Sequence, residues 1–270
     1  MTLVRWTIIL LPLAALAQSP RFTRGEQEEF LAKAPIVAGS KVPGNLNPLF
    51  SYRVTLDDGR KKHYATVEAA DGTGPNGRSY RYNLAAYALD KMIGLNMAAT
   101  AIARIVDGRQ TSIMWWVDDV AMDERSRRQQ HVEPSDPADW DRQMQAVRVF
   151  DELMANEYRS INPEQAMTTS WDNLLISRDW RIWLIDHART FRTTHTLEDP
   201  AGLARCDRQI LMLLRKLNRH DFARMLSAYL SPEQLDSLEY RRMLLVQHFD
   251  RLIATTGEAA VLYDLPPSHR

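Results

Sequence analysis

An asparagine and an aspartate bracket a predicted β-hairpin in the second half of the chain. Asn173 opens it and Asp186 closes it, and two short apolar runs flank the turn Ser177-Arg178-Asp179. A hairpin brings its two ends together, so both side chains could reach one ion. Amide and carboxylate oxygens are ligands that suit Mg²⁺ or Mn²⁺. By spacing alone, however, a surface hairpin whose ends are capped by these two residues is the better interpretation.

Three other patterns could support chemistry, and the first two have plain structural alternatives. Gly72–Gly77 spells G-x-G-x-x-G before a predicted helix, but the preceding strand is not a continuous apolar run, so a turn is favoured over a dinucleotide site. Cys206 has two arginines nearby that could favour a thiolate, although a small core residue is the better interpretation. Asp186 together with His187 could serve a metal-binding hydrolase.

The elements that must position these residues divide into two parts. The first part contains a short helix over 26–33, a loop over 35–50, and then strands, one helix and more strands. These elements are predicted at Leu49–Leu56, Lys62–Glu68, Tyr82–Ile93, Thr100–Val106 and Thr111–Val117. Gly94 follows the helix at the position where a left-handed residue ends it. The first part is therefore a small α+β lobe.

The second part is predicted to be mostly helical. The charged segment 118–137 is interpreted as the connection between the two parts, and Asp136 is placed to cap a helix that has Pro137 at its first position. After the hairpin the chain is expected to be helical, with a capping box that begins at Ser231. The fold class is therefore α+β, with a β-rich lobe followed by a helical one.

Composition limits the classes of protein that fit. Lys plus Arg and Asp plus Glu each total 34, so the formal net charge is zero, which argues against a nucleic-acid-binding protein. Hydrophobic residues make up 45% of the chain, which is typical of a globular protein. The single cysteine excludes an intramolecular disulfide and a Cys-rich zinc site.

The N-terminus has the pattern of a secretory signal peptide. Arg5 precedes an almost wholly apolar run from Trp6 to Ala17, which ends in an A-x-A-type cleavage site. The run is too short to span a bilayer. We therefore expect residues 1–17 to be removed near Ala17, no integral membrane segment afterwards, and a secreted or periplasmic protein. The alternative is an uncleaved helix at the membrane interface.

The hairpin and the segment before it resemble the atypical kinases. The matching residues are Phe150-Asp151-x-Leu153, Asn156, Arg159, Asn173-Leu174-Leu175-Ile176, Ile185-Asp186-His187 and Phe191. This pattern is similar to that of the phosphatidylinositol 3-/4-kinase-like group and the related HipA-type toxin kinases. Over about residues 26–264 the chain also resembles a group of uncharacterised exported bacterial proteins.

The resemblance implies a two-lobed protein-kinase-like fold. It implies an N-lobe over 18–117, a hinge or connector over 118–137, and a helical C-lobe over 138–270 that contains the metal-site hairpin 173–186. ATP with Mg²⁺ or Mn²⁺ is the implied cofactor, and Asn173 and Asp186 are the implied metal ligands. Trp116 and Val117 would enter the hinge, where an adenine stacks and bonds to the backbone.

The chain departs from the pattern of active relatives at the catalytic base. Tyr158 stands where those relatives have an aspartate, and the loop from there to Asn173 is longer than the pattern. A phenol with an ordinary pKa of about 10 cannot replace a carboxylate as base at neutral pH. Glu157 and Asp172 are the candidates for an alternative base.

The nucleotide-facing side of the N-lobe departs as well. Glu68 stands where the resemblance places a phosphate-binding lysine on the second strand, and Asn83 stands where it places the helix glutamate that pairs with that lysine. A glutamate beside a phosphate would repel it. The candidate cations to take the place of that lysine are Lys61, Lys62 and Arg81.

Three functions follow from these residues. The first is an exported, degenerate kinase-like module, or pseudokinase, that binds a nucleotide or a protein partner. The second is a divergent ATP-dependent phosphotransferase that uses Asn173 and Asp186 to hold the metal and an unconventional base. The third is a hydrolase or metal-binding protein built on Asp186 and His187.

Overall fold

A five-stranded antiparallel sheet forms the core of the N-lobe. The structure, a computed structural model, describes residues 22–41, 51–72, 77–156 and 171–266. The strands lie in the order β1-β2-β3-β5-β4. They are β1 (Ile36–Lys41), β2 (Ser51–Asp57), β3 (Lys62–Glu68), β4 (Ala101–Val106) and β5 (Arg109–Trp115). The expected loop over 35–50 is therefore wrong for 36–41. This edge strand exposes Val37 and carries Gly39, so it lacks the apolar alternation that identifies a strand.

Two helices pack against this sheet. Helix α1 (Arg24–Lys33) begins with a capping box at Thr23 and buries Phe30 and Leu31 against the strands. Helix α2 (Tyr80–Ile93) ends at Gly94, whose φ of 66° is the left-handed conformation expected there. On α2, Leu84 and Tyr87 pack with residues of the sheet.

The opposite side of α2 belongs to the core of the C-lobe. Ala85, Leu89 and Ile93 join the same buried cluster as Phe150 and Leu184. The helix is therefore shared by both lobes, and its position fixes one lobe relative to the other.

The connecting segment contributes structure of its own. It contains β6 (Val120–Asp123) and α3 (Glu124–Gln129), so it is more than a connection. Strand β6 pairs with β7 (Leu174–Ser177), which pairs in turn with β8 (Ile182–Leu184), and both pairings are antiparallel. The predicted hairpin is confirmed.

The rest of the C-lobe consists mainly of helices. These are α4 (Pro137–Met154), α5 (Arg208–Lys216), α6 (Arg219–Leu226), α7 (Pro232–Thr256) and α8 (Glu258–Val261). Two short strands, β9 (Cys206–Asp207) and β10 (Leu262–Tyr263), pair in parallel. The predicted caps are confirmed: the Asp136 side chain accepts from the first amides of α4, and Ser231 forms a capping box for α7.

The segment after β8 differs from the helix expected there. Between Ile185 and Arg205 the only regular element is the short 3₁₀ turn Pro200–Gly202. Arg241 of α7, which is fully buried, donates to the carbonyls of Leu153, Arg192 and Thr194. These carbonyls take their hydrogen bonds from a distant side chain, which local sequence patterns do not reveal.

Cys206 is a core residue, as its structural alternative predicted. The side chain is fully buried, and burial raises the pKa of its thiol. No helix within the described ranges is long and apolar enough to cross a membrane.

Candidate functional site

Asn173 and Asp186 lie together at one end of the β7–β8 hairpin. Asn173 ends a 3₁₀ turn that leads into β7, and Asp186 follows β8 with a φ of 50°. The Ile185 amide donates to the Asn173 carbonyl at 3.1 Å, which closes the hairpin at this end. The structure therefore brings the two residues together, whereas their role as metal ligands stays a prediction.

Both oxygens of Asp186 are bound by an arginine that the sequence analysis did not single out. Arg78 Nη1 lies 3.1 Å from Asp186 Oδ2, and Arg78 Nη2 lies 3.0 Å from Oδ1. On its other side the guanidinium contacts Glu68 Oε2, with Nε at 2.9 Å and Nη2 at 2.5 Å. Arg78 therefore links the end of β3 to the residue that follows β8.

The three charged groups of this ion cluster, which comprises Glu68, Arg78 and Asp186, differ in their surroundings. Burial raises the pKa of Glu68, and the contact with Arg78 opposes that rise. Burial alone would lower the pKa of Arg78, but the two carboxylates outweigh it and the pKa is raised. Arg78 stays cationic at any physiological pH. The cluster contains one guanidinium and two carboxylates, so its formal charges sum to −1.

The cations proposed from the sequence lie elsewhere. Lys61 Nζ sits 4.1 Å from the centroid of the Phe22 ring, and Lys62 pairs with Asp57 at 3.1 Å. Arg81 lies 3.5 Å from a carboxylate oxygen of Asp71. The signal that could have found Arg78 is Glu68 itself. A glutamate on a buried strand needs a cation nearby, and Arg78 is the first cationic residue after it in the chain.

Asn83 ties α2 to the residue after Asp186. Its Oδ1 accepts from the His187 amide at 2.8 Å, and its Nδ2 donates to Ser112 Oγ on β5 at 3.2 Å. Asn83 is buried, so both bonds are shielded from water. The position where a glutamate was expected therefore holds the backbone beside Asp186 in place.

The end of β5 and the residues after it lead into the segment 118–137, where a hinge is predicted. Trp115 is buried, and the ring of His63 stacks on it with centroids 3.6 Å apart. The Trp116 amide donates to the Tyr64 carbonyl at 3.2 Å, and Val117 is buried. These contacts tie the end of β5 to β3, the strand that ends at Glu68. Contact of Trp116 and Val117 with an adenine stays a prediction.

Of the two candidate bases, Asp172 lies within the described residues and Glu157 does not. Glu157 and Tyr158 lie outside the described residues. Asp172 is described: its side chain is 55% exposed and lies 3.5 Å from Arg125 Nη2. Within the same described ranges, no group of three or more His, Cys, Asp or Glu side chains could hold a metal ion.

The pair Asp186 and His187 does not form one open site. His187 is buried, with its ring 6.0 Å from that of Phe150, whereas Asp186 is partly exposed. Successive residues here point into different surroundings, which disfavours a hydrolase that needs both groups at one substrate. The G-x-G-x-x-G run is mostly outside the described residues, and the sheet before it is antiparallel, unlike a dinucleotide fold.

Comparison with known proteins identifies the fold. No protein-family model matches the chain, and no curated protein matches it in sequence. Among solved structures, hydra Fam20 with sugar superposes with a TM-score of 0.63 at 11% identity, over 89% of this chain and 92% of that one. The proinflammatory kinase CtkA of Helicobacter pylori superposes with a TM-score of 0.51 at 11% identity, over 84% and 98%. The chain has a kinase-like fold.

This finding confirms the expected fold class. The β-sheet N-lobe and the helical C-lobe match the two solved structures across most of their length. At such low identity the likeness extends to the fold and not to the activity. Glu68 ends a strand of the N-lobe sheet and Asp186 follows β8 of the C-lobe, so the ion cluster lies between the two lobes.

Proposed function

We propose that this protein is an exported, nucleotide-binding pseudokinase. The observation that carries the proposal is the ion cluster: the carboxylate of Asp186 is held on both oxygens by Arg78. The sequence adds a tyrosine, Tyr158, at the position of the catalytic base. The predicted metal ligand Asp186 is already paired with Arg78, and no carboxylate stands at the usual position of the base. We therefore expect the protein to bind a nucleotide between its lobes and to transfer phosphate weakly or not at all. The predicted signal peptide supports export.

The donor chemistry at this position suits a divalent cation. Asp186 and Asn173 offer the carboxylate and amide oxygens that would hold Mg²⁺ or Mn²⁺. Such an ion, when bound, neutralises the charge of the nucleotide phosphates. Because Arg78 contacts both carboxylate oxygens, a metal ion would compete with the guanidinium for Asp186.

A divergent phosphotransferase is the second candidate. One observation favours it: the ion cluster combines one cation with two carboxylates. The family pattern has the same combination, in which a strand lysine is the cation and a helix glutamate and a metal-binding aspartate are the carboxylates. Asp172 adjoins Asn173 and is exposed, so it is the described carboxylate that could accept a proton. Under this alternative, Asp172→Asn abolishes turnover and leaves nucleotide binding intact.

Calorimetry with the purified protein tests the proposal. Mg·ATP and Mn·ATP are titrated into the wild type and into Asp186→Asn, and a phosphotransfer assay is run on the same samples. Binding without turnover supports the pseudokinase. Turnover that is lost in Asp172→Asn supports the phosphotransferase. Absence of binding at millimolar nucleotide contradicts both and leaves a module that binds a protein partner.

A further inference from the structure

The guanidinium of Arg78 stands between two carboxylates that differ in access to water. The side chain of Glu68 is 1% exposed, whereas those of Arg78 and Asp186 are 30% and 31% exposed. A buried carboxylate that loses its cation is left desolvated and unpaired, which is costly. Asp186 can instead be rehydrated when it loses its contact. The contact of Arg78 with Glu68 is therefore the lasting one, and its contact with Asp186 is exchangeable.

The backbone around Arg78 is fixed on both sides. The Arg78 carbonyl accepts from the Gly72 amide at 2.8 Å, and the Ser79 amide donates to the Ala188 carbonyl at 2.7 Å. The Tyr80 amide donates to the Ala70 carbonyl at 2.7 Å. These bonds hold the residue to the end of β3 and to the segment after Asp186. The guanidinium is therefore presented to the space between the lobes by a rigid support, which lowers the entropy lost when it binds a ligand.

We propose that Arg78 is the phosphate-binding cation of this site and that Glu68 is its positioning residue. This inference rests on the proposed nucleotide binding and names the group that recognises the polyphosphate. In the family pattern the cation comes from the strand and the anion from the helix side. Here the two charges are exchanged: the strand supplies Glu68, and the residue just before the N-cap of α2 supplies Arg78.

The geometry of Arg78 suits an exchange of Asp186 for phosphate. Nε and Nη2 face Glu68, while Nη1 and Nη2 face the two oxygens of Asp186. The edge that now holds a carboxylate in bidentate fashion matches a phosphate equally well. A phosphate bound at this edge releases Asp186, whose oxygens are then free for a divalent cation. No covalent step is involved.

Titration of Mg·ATP by calorimetry tests the inference on the full chain. Arg78→Gln removes the cation, and Arg224→Gln is the matched control, because Arg224 lies on α6 and pairs with Asp221 instead. We expect Arg78→Gln to weaken binding about tenfold to a hundredfold, the loss of one or two charged hydrogen bonds. Arg224→Gln is expected to bind Mg·ATP as the wild type does. Glu68→Gln keeps the cation but weakens the contact that positions it, so we expect a loss of Mg·ATP affinity smaller than that of Arg78→Gln.

A reciprocal exchange guards against variants that fail to fold. Glu68→Lys combined with Arg78→Glu restores the lysine-on-strand arrangement and keeps the charge sum. It should bind Mg·ATP more tightly than either single variant, with circular dichroism and melting temperature reporting the fold. Arg78→Lys keeps the positive charge but cannot form the bidentate hydrogen bonds of a guanidinium. We therefore expect this variant also to bind Mg·ATP more weakly than the wild type does.

Two results distinguish a failure of the Arg78 assignment from a failure of the proposed function. If the wild type binds Mg·ATP and both Arg78→Gln and Arg78→Lys bind equally well, the assignment of Arg78 is overturned while the proposed function stands. If the wild type binds no nucleotide with Mg²⁺, with Mn²⁺ or with a chelator, the proposed function itself fails and the role of Arg78 fails with it.

Discussion

At the scale of single residues, the site is organised by the need to neutralise a buried carboxylate. Glu68 points from β3 into the protein, where it also accepts from the Ala70 amide at 3.0 Å. Its burial is tolerable because Arg78 lies within hydrogen-bonding distance. Arg78 in turn contacts Asp186, so the cation that neutralises Glu68 is also the partner of the predicted metal ligand.

Removal of Arg78 should raise the affinity of Asp186 and Asn173, at the end of the β7–β8 hairpin, for a divalent cation. Arg78→Gln leaves Asp186 and Glu68 without their shared cation, so the negative potential at Asp186 rises. We expect Mn²⁺ alone to bind this variant several-fold more tightly than the wild type, as measured by electron paramagnetic resonance titration. Arg224→Gln, which changes a cation of α6 that pairs with Asp221, is the control. Unchanged or weaker Mn²⁺ binding in Arg78→Gln would show that Asp186 and Asn173 are not the metal ligands.

The residues of the site were only partly predictable from the sequence. Asn173 and Asp186 could be placed together because a short hairpin leaves little choice for its two ends. The burial of Glu68 indicated that a cation must lie nearby, but its contact with Asp186 could not be predicted, because the packing of the two lobes brings that partner to Arg78. The cation is the residue that precedes the N-cap of α2, and the candidates Lys61, Lys62 and Arg81 lie elsewhere.

At the scale of elements, α2 positions the site through a single side chain. Asn83 connects this helix both to β5 and to the backbone beside Asp186. Asn83→Ala leaves the His187 amide without this buried acceptor and should lower the free energy of unfolding by about 2–3 kcal/mol. Ser112→Ala removes the other bond and spares the His187 amide, so a loss of about 1 kcal/mol is expected. Urea unfolding measures both, and equal losses would contradict the positioning role.

The extended segment after β8 depends on a buried arginine of α7. Burial lowers the pKa of Arg241 to about 10, so it remains charged at neutral pH. Because it serves three backbone carbonyls, Arg241→Met should destabilise the protein by about 3 kcal/mol or more.

The matched control for Arg241 lies on the same helix. Arg251→Met changes an exposed residue of α7 and should stay within about 0.5 kcal/mol of the wild type in the same thermal or urea unfolding experiment. Similar losses in the two variants would show that the three carbonyl bonds do not stabilise the segment.

The elements themselves were largely readable from local signals. Caps at Asp136 and Ser231, the glycine after α2 and the alternation of β2 and β3 all act within a few residues, so the sequence displays them. The edge strand β1 and the non-helical segment that Arg241 holds depend on partners far along the chain. Their missing local signals explain why a loop and a helix were expected in those places.

At the scale of the whole molecule, the lobes share one core through α2. Leu89 is fully buried in the cluster that contains C-lobe residues, while Leu84 of the same helix packs with the sheet. We expect a single cooperative unfolding transition, and Leu89→Ala should lower its free energy by about 2–5 kcal/mol. Calorimetry and circular dichroism should report the same midpoint. Two separate transitions, of which the substitution shifts only one, would contradict the shared core.

The central claim, that a nucleotide binds between the lobes at the ion cluster, is tested most directly by amide hydrogen exchange with and without Mg·ATP. We expect slower exchange in three places: at 115–118 after β5, at the start of α2 near Arg78, and at 184–190 after β8. Exchange in α5 and α6 should be unchanged. Protection confined to the C-lobe helices, or no protection anywhere at saturating nucleotide, would contradict it.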